Sequence, residues 1–325
     1  MMQLGLSLPT VGPPGRRRYL IDVAEAADEL GFHSLWISSH VALPKERDGS
    51  CLYPRAKTAD AYNWGVAWLE PLTLMGLVAG VTERIKVGTH VLALPYRNPV
   101  ILASELATLD QLSLGRIILG AGLGWMEEEF AIVGVPRSQR GARTDEYIEV
   151  MRTLWRGKRP VSFHGRFVDF DDMWLAARPH SETGPPVFVG GNTEHALRRV
   201  ARLGEGWLAH ELYPEEIRAG RETLARLSHE AGRDPAEIMV TVRRGLVPPF
   251  PVMDFMSDRV SITGSADEVA AQFDAYRDAG VSLLVLDLSM RPAEMIKTME
   301  WLREEVTTVQ PGSDTSARSR SREEM

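Results

Sequence analysis

Eight short apolar segments alternate with eight amphipathic ones along almost all of this 325-residue chain, and few folds accept that order. Apolar runs bounded by turn residues read as buried strands, and apolar residues recurring every three or four positions read as helices. Strands are expected at 3–8, 34–38, 85–92, 116–121, 186–190, 206–210, 238–243 and 283–288. Helices are expected at 19–30, 71–81, 99–112, 143–155, 194–203, 214–231, 266–279 and 292–306. Local signals agree with these bounds. Asn98 precedes Pro99, Ser265 has Glu268 three residues on, and Gly31 and Gly280 stand just past helix ends. Strict alternation predicts an α/β protein built as a single (β/α)8 TIM barrel, for which ~250 residues suffice. A doubly wound sheet would want GxGxxG in the first strand–helix turn. That turn reads LPTVGPPGRR, and the GAGLG at 120–124 stands in mid-chain with the wrong spacing.

Three segments exceed a minimal barrel. Residues 40–68 and 246–263 are long loops at the C-terminal face of the strands, where their aromatic residues and methionines suit a substrate wall. Residues 161–170, VSFHGRFVDF, alternate around Gly165-Arg166 and predict an inserted β-hairpin. The expected organisation is one barrel domain over 1–309 and a disordered tail over 310–325, which has almost nothing apolar to bury.

Acidic residues outnumber basic ones, 44 to 37, so nothing draws the surface to nucleic acid or an anionic membrane. No run approaches the ~18 apolar residues that a span requires. Arg16-Arg17-Arg18 resembles a twin-arginine signal, but an acidic amphipathic helix follows it where an apolar core should stand. The lone Cys51 excludes an intrachain disulfide and suits a reducing cytoplasm. Neither a Gly-x-Ser-x-Gly elbow nor a Walker loop occurs, so nucleophilic hydrolysis and nucleotide triphosphate chemistry have no support.

Strand alternation places the candidate chemistry. Trp36, Ser38 and His40 share one face of the second strand, and Lys86, Gly88, His90 and Leu92 share the lumen face of the third. Ile85, Val87, Thr89 and Val91 then face the helices. His40 and His90 thus converge near the top of the lumen, either as hydrogen-bonded structural residues or as imidazoles that serve a polar heteroring or a proton near neutral pH. A metal would need carboxylates beside them. Glu127, Glu128 and Glu129 are better explained as a helix start, so no metal is expected. Gly190-Gly191 followed by Asn192-Thr193 at a helix start makes the best anion site, although a tight strand–helix turn also wants glycine. Arg198 and Arg199 are expected at solvent. Arg140 and Arg143 could meet a phosphate or form surface salt bridges.

With those residues in place, a family resemblance can be weighed. LGLSLP, LGFHSLWISSH, ERIKVGTHVLALPYRNPVILASELATLDQLSLGRIILGAGLGW, EEEFAIVGVP, RGARTDEYIEVMRTLW, VSFHGRFVDF, PPVFVGGNT and LGEGW follow one another as in the luciferase-like monooxygenases. Within that family the chain most resembles the branch that uses the deazaflavin coenzyme F420. The resemblance implies a barrel with a flavin or deazaflavin ring at the strand ends, usually in a homodimer. It implies an oxidoreductase that moves a hydride between F420 and a small, apolar organic substrate, supplied with electrons by an F420 or flavin reductase. A monooxygenase using reduced FMN is the alternative, and a flavin- or deazaflavin-binding protein without turnover is the second.

Carried over by position, His40 is the catalytic residue that faces the reactive ring edge. Ser39, His40, Thr89, His90, Val91 and Gly122 surround the ring, with a non-prolyl cis peptide at His90-Val91. Gly190, Gly191, Asn192 and Thr193 hold the cofactor phosphate, and Trp125 faces the substrate. Two departures are implied. Many deazaflavin members have Asp-His where this chain has Ser39-His40, and the sugar-phosphate dehydrogenases have a glutamate where it has Trp125. The resemblance therefore predicts a site without a carboxylate near the ring, and no sugar phosphate.

Overall fold

A computed structural model of the chain describes residues 2–12, 17–44, 67–156, 159–251, 261–288 and 290–307. The expectations for the Cys51 loop, for the middle of the 246–263 loop and for the 310–325 tail lie outside them. All eight expected strands form: β1 Gln3–Ser7, β2 Ser34–Ile37, β3 Lys86–Thr89, β4 Ile117–Gly122, β5 Val187–Gly190, β6 Gly206–His210, β7 Met239–Val247 and β8 Leu283–Asp287. Each pairs in parallel with the next, and β8 pairs with β1, with Leu284 opposite Leu4 and Leu286 opposite Leu6. The sheet is a closed barrel of eight parallel strands.

The helices flank it as α1 Arg17–Glu29, α2 Pro71–Val81, α3 Pro99–Leu112, α4 Glu127–Ile132, α5 Arg140–Arg156, α6 Glu194–Leu203, α7 Pro214–Glu230, α8 Ala266–Asp278 and α9 Pro292–Trp301. Their ends obey the sequence signals. Asn98 Oδ1 accepts from the N–H groups of Val100 and Ile101, Ser265 and Glu268 close a capping box, and Gly31 and Gly280 take positive φ. The expected final helix breaks at Trp301 into a π turn, Leu302–Val306. None of the described helices is long and apolar enough to cross a membrane.

Two apolar layers follow from the period-2 pattern. Outward side chains such as Leu4, Leu6, Leu35, Ile37, Val87, Leu119, Val189 and Val242 join the helices in the main core. Inward side chains fill the lumen: Trp36, Ile118, Phe188, Leu208, Leu283 and Val285. Trp36 needs glycine on both neighbouring strands, because a Cβ at Gly88 would stand 2.8 Å from its ring and one at Gly5 3.1 Å from its Nε1. That indole donates to Ser34 Oγ at 2.8 Å. The lower lumen is therefore packed shut, and only its upper end can hold a ligand. The hairpin lies outside the barrel as strands Val161–His164 and Asp169–Met173, and Glu146 of α5 accepts the N–H groups of Arg166, Phe167 and Val168 at its turn.

Candidate active site

The site begins where β3 ends. Thr89 Oγ1 donates to the Gly120 carbonyl at 2.9 Å and accepts the Gly120 N–H at 3.0 Å, replacing ladder bonds as the strands part. The next peptide, His90–Val91, is cis, as the resemblance implies. His90 keeps its lumen face against Trp36, but the face assignments of the following two residues are the reverse of strict alternation. Val91 packs against the lumen cluster and Leu92 joins the outer core. Val91 is nested between two glycines. A Cβ at Gly122 would lie 2.3 Å from its Cγ2, and one at Gly190 would lie 2.7 Å from its Cγ1. These glycines make room for a valine that floors the upper lumen. Two serines from the end of β2 hold the bulge: Ser38 Oγ donates to the His90 carbonyl at 3.4 Å and Ser39 Oγ to the Val91 carbonyl at 2.8 Å.

His40 stands beside this floor with its side chain only 9% exposed. Its Nδ1 lies 3.2 Å from Glu129 Oε2, while Glu129 Oε1 accepts the Val41 N–H at 2.6 Å and the Ala42 N–H at 3.4 Å. Glu129 is no mere helix-start charge. It is 2% exposed, whereas Glu127 and Glu128 face solvent, so the helix-start reading is corrected for Glu129, which sets a buried carboxylate against His40. Burial alone would raise the Glu129 pKa. The hydrogen bond and charge of His40, then the Val41 and Ala42 N–H groups, outweigh burial and hold it below the usual range. Tyr96 lies beside Glu129 with its hydroxyl buried and without a well-formed hydrogen bond. Burial first, then the charge of Glu129, push the Tyr96 pKa up.

Two indoles face the imidazole edge-on. Trp68 has its ring centroid 4.5 Å from that of His40 at 80°, and Trp125 has its centroid 6.0 Å away at 89°. Trp68 arrives on a short antiparallel pair, Ala67–Trp68 with Val11–Gly12, the latter following closely on β1. A pocket of about 190 Å³ is lined by His40, Val41, Ala42, Leu43 and Trp68.

Across the lumen stands a second polar group that strand reading did not single out. Arg243 of β7 pairs with Asp287 of β8 and donates to Ser38 Oγ at 3.3 Å. His210 of β6 lies edge-on to His90, centroids 6.2 Å apart. Burial, then the Arg243 charge, hold His210 down to about 4. Burial, then Arg243 and His210, push His90 well below its ordinary value. Both shifts favour the neutral imidazole at pH 7, and the buried His90 Nδ1 has no partner among the described residues. A polar atom buried without a partner is costly, and such an atom is suited to meet a polar group of a bound molecule.

The expected phosphate loop is arranged differently from the sequence reading. The Gly191 N–H already donates to the Leu208 carbonyl at 3.2 Å, and Asn192 exchanges bonds with the His210 backbone at 2.8 and 3.1 Å. Thr193 caps α6 by accepting the Ala196 N–H at 3.3 Å. What helix geometry leaves unpaired are the N–H groups of Glu194 and His195. Arg199 is not at solvent: it is 9% exposed and paired with Asp145. Arg140 is bonded to the Arg137 carbonyl, and Arg143 to Gln139 and Tyr147 over the Phe167 ring. Among the described residues no group of three or more His, Cys, Asp or Glu could hold a metal.

The profile of the luciferase-like monooxygenases matches residues 2–249. The chain belongs to that family. It is an enzyme, and the barrel with polar residues gathered at its upper end is the family's frame. An uncharacterised Mycobacterium bovis protein is 34% identical over 224 residues, covering 68% of this chain and 76% of its own. The F420-dependent glucose-6-phosphate dehydrogenase of Amycolatopsis mediterranei is 28% identical over 313 residues, 82% of this chain and 87% of its own. Among solved structures, the monooxygenase RslO1 of Streptomyces bottropensis superposes with a TM-score of 0.77 at 22% identity, over 94% of this chain and 99% of its own, a likeness of fold.

Proposed function

We propose that this protein moves a hydride between a deazaflavin of the F420 type and a small, apolar organic substrate, with His40 handling the accompanying proton. The observation that carries the reading is the imidazole of His40 at the open end of the barrel, tied to a buried carboxylate and walled by Trp68 and Trp125. The F420 requirement named for the Amycolatopsis relative supports the choice of ring.

The residues present fit such a ring. Val91 offers a half-buried apolar surface between two glycines, and the neutral His90 offers an orphaned nitrogen. Ser39, His40, His90, Val91 and Gly122 would border the ring, and the start of α6 after Gly190–Thr193 would face its phosphate. Thr89 supports the floor from behind, because its hydroxyl is spent on Gly120. When bound, a deazaflavin supplies the redox chemistry as an obligate hydride carrier.

The protein's own part is positional and acid–base. His40 takes a proton from the substrate oxygen as the hydride leaves carbon, or returns it in the reverse direction. The two indoles exclude water and present flat apolar faces. A sugar phosphate suits this wall poorly, because among the described residues the pocket beside His40 adds Val41, Ala42, Leu43 and Trp68, none of them charged. Electrons would come from a separate F420 or flavin reductase, in the cytoplasm, to a homodimer. Titration with F420 and with FMN, followed by fluorescence and oxygen uptake, tests the proposal. Tight F420 binding with no substrate-dependent oxygen uptake is expected. Oxygen uptake with reduced FMN alone would replace it with a monooxygenase, and binding without turnover of any substrate would replace it with a carrier.

A further inference from the structure

We propose that Glu129 is a positioning residue that sets the tautomer of His40 and locks the loop after β2 against α4. The inference rests on the reading of His40 as the proton-handling group. An ionised carboxylate has no proton to give, so a hydrogen bond between it and Nδ1 requires the proton on Nδ1. Proton exchange with substrate then runs through Nε2, and Glu129 compensates the positive charge whenever the ring is doubly protonated. Ionisation is secured by geometry. One oxygen accepts two backbone N–H groups, at 2.6 and 3.4 Å, and the other meets the imidazole at 3.2 Å.

The carboxylate also spans two elements. It starts in α4, after the glycine-rich end of β4, and it ends on three consecutive residues after β2. The same loop carries Val41 and Ala42 into the pocket wall. His40 is thereby fixed in ring rotation as well as protonation, between Trp68 and Trp125. A side chain aimed inward from the other strand-end loop does what an aspartate before His40 does not do here.

Glu129→Gln separates charge from shape. Its amide oxygen can still accept from Val41, but its NH2 would face Nδ1 and favour the opposite tautomer. Nitrogen-15 spectra of the imidazole, assigned by comparison with His40→Asn, read this in the full-length protein without cofactor. Nδ1 should carry the proton in the wild type and lose it in Glu129→Gln. With the cofactor and substrate established for the wild type, kcat of Glu129→Gln should fall ~10²-fold or more, with cofactor Kd and urea midpoint nearly unchanged. Glu129→Asp should restore the wild-type tautomer and part of kcat. An unprotonated Nδ1 in the wild type overturns the inference outright. So does a Glu129→Gln kcat within about threefold of wild type, or a loss of kcat that only tracks a loss of stability. Full turnover in His40→Ala would instead sink the proposed function, leaving the tautomer result to stand on its own.

Discussion

Gly122→Ala tests the floor of the site, and its size can be worked from contact distances. The new methyl would lie 2.3 Å from Val91 Cγ2 and 2.9 Å from Val91 Cβ, far inside van der Waals contact. Gly122 does not lie at positive φ, so the penalty is steric rather than conformational. Val91 cannot retreat toward β5, because its other methyl already fills the space over Gly190. Overpacking of this kind costs ~1–3 kcal/mol. Val91→Ala alone removes two methyl groups from a half-buried side chain, at most ~0.8 kcal/mol each. In the double variant the 2.3 Å clash with Cγ2 is gone and only the 2.9 Å approach to the Cβ remains, so it should lie closer to Val91→Ala alone than additivity predicts. The two changes should therefore couple favourably, by up to ~3 kcal/mol. Urea denaturation of the four proteins measures that coupling, and a cofactor titration on the same samples should show Gly122→Ala binding least well. Additive stabilities, or a Gly122→Ala protein that binds as tightly as wild type, would mean that Val91 does not fill the glycine gap.

His40→Ala should lower turnover ~10²-fold or more while cofactor affinity changes far less; near-normal steady-state rates would reject it as the proton-handling residue. Gly191→Val is not a clean probe of the phosphate loop. Gly191 has φ +128° and its Cβ would meet the Ala196 methyl at 2.8 Å, so stability and cofactor binding should fall together, and a fully stable variant would count against this packing. Stability should also fall on mild acidification. Burial, then Lys86, hold His33 down to about 4, and burial, then Arg243, hold His210 down to about 4, against an ordinary 6.5. Between those values the unfolded chain takes up protons that the folded chain refuses, so their contribution is complete above 6.5 and is lost as pH falls toward 4. Urea midpoints from neutral pH down to about pH 5 should fall, and His33→Gln should flatten the slope; an unchanged midpoint over that range would refute it.

The barrel was legible because period 2 and period 3.6 are written separately along the chain, with glycine and proline at the joints. Strand alternation carried Trp36, Gly88 and His90 into the lumen correctly. It failed at Val91 because one peptide out of register reverses every later side chain. Glu129 was hidden in a run of three glutamates that all suit a helix start. Its phase could have revealed it, since it stands three residues after the buried Met126 and just before the buried Phe130. Arg199 shared the same fate, on the buried face of α6 with Ala196, Leu197, Val200 and Leu203. For both residues helix phase is a stronger signal than charge. Arg243 and Asp287 come from strands 44 residues apart in the chain, and nothing local links them.

The Ser39-His40 pair shows why a missing acid need not leave a gap. Ser39 Oγ donates to the Val91 carbonyl at 2.8 Å, a bond that an ionised aspartate cannot make. With the carboxylate role held by Glu129 from α4, residue 39 serves the floor instead. Ser39→Asp should therefore fail to improve the enzyme. It would set a negative charge against a carbonyl oxygen, orphan that acceptor, and place a second carboxylate near the one already bonded to His40. A loss of ~1–3 kcal/mol is the scale for an orphaned buried polar group, and turnover should drop with it as Val91 shifts. Ser39→Ala removes the same bond without the repulsion, so it should lie between wild type and Ser39→Asp in both urea midpoint and rate. A Ser39→Asp protein that is as stable as wild type and turns over faster would show that the acid before His40 had been a real deficit, and that Glu129 does not replace it.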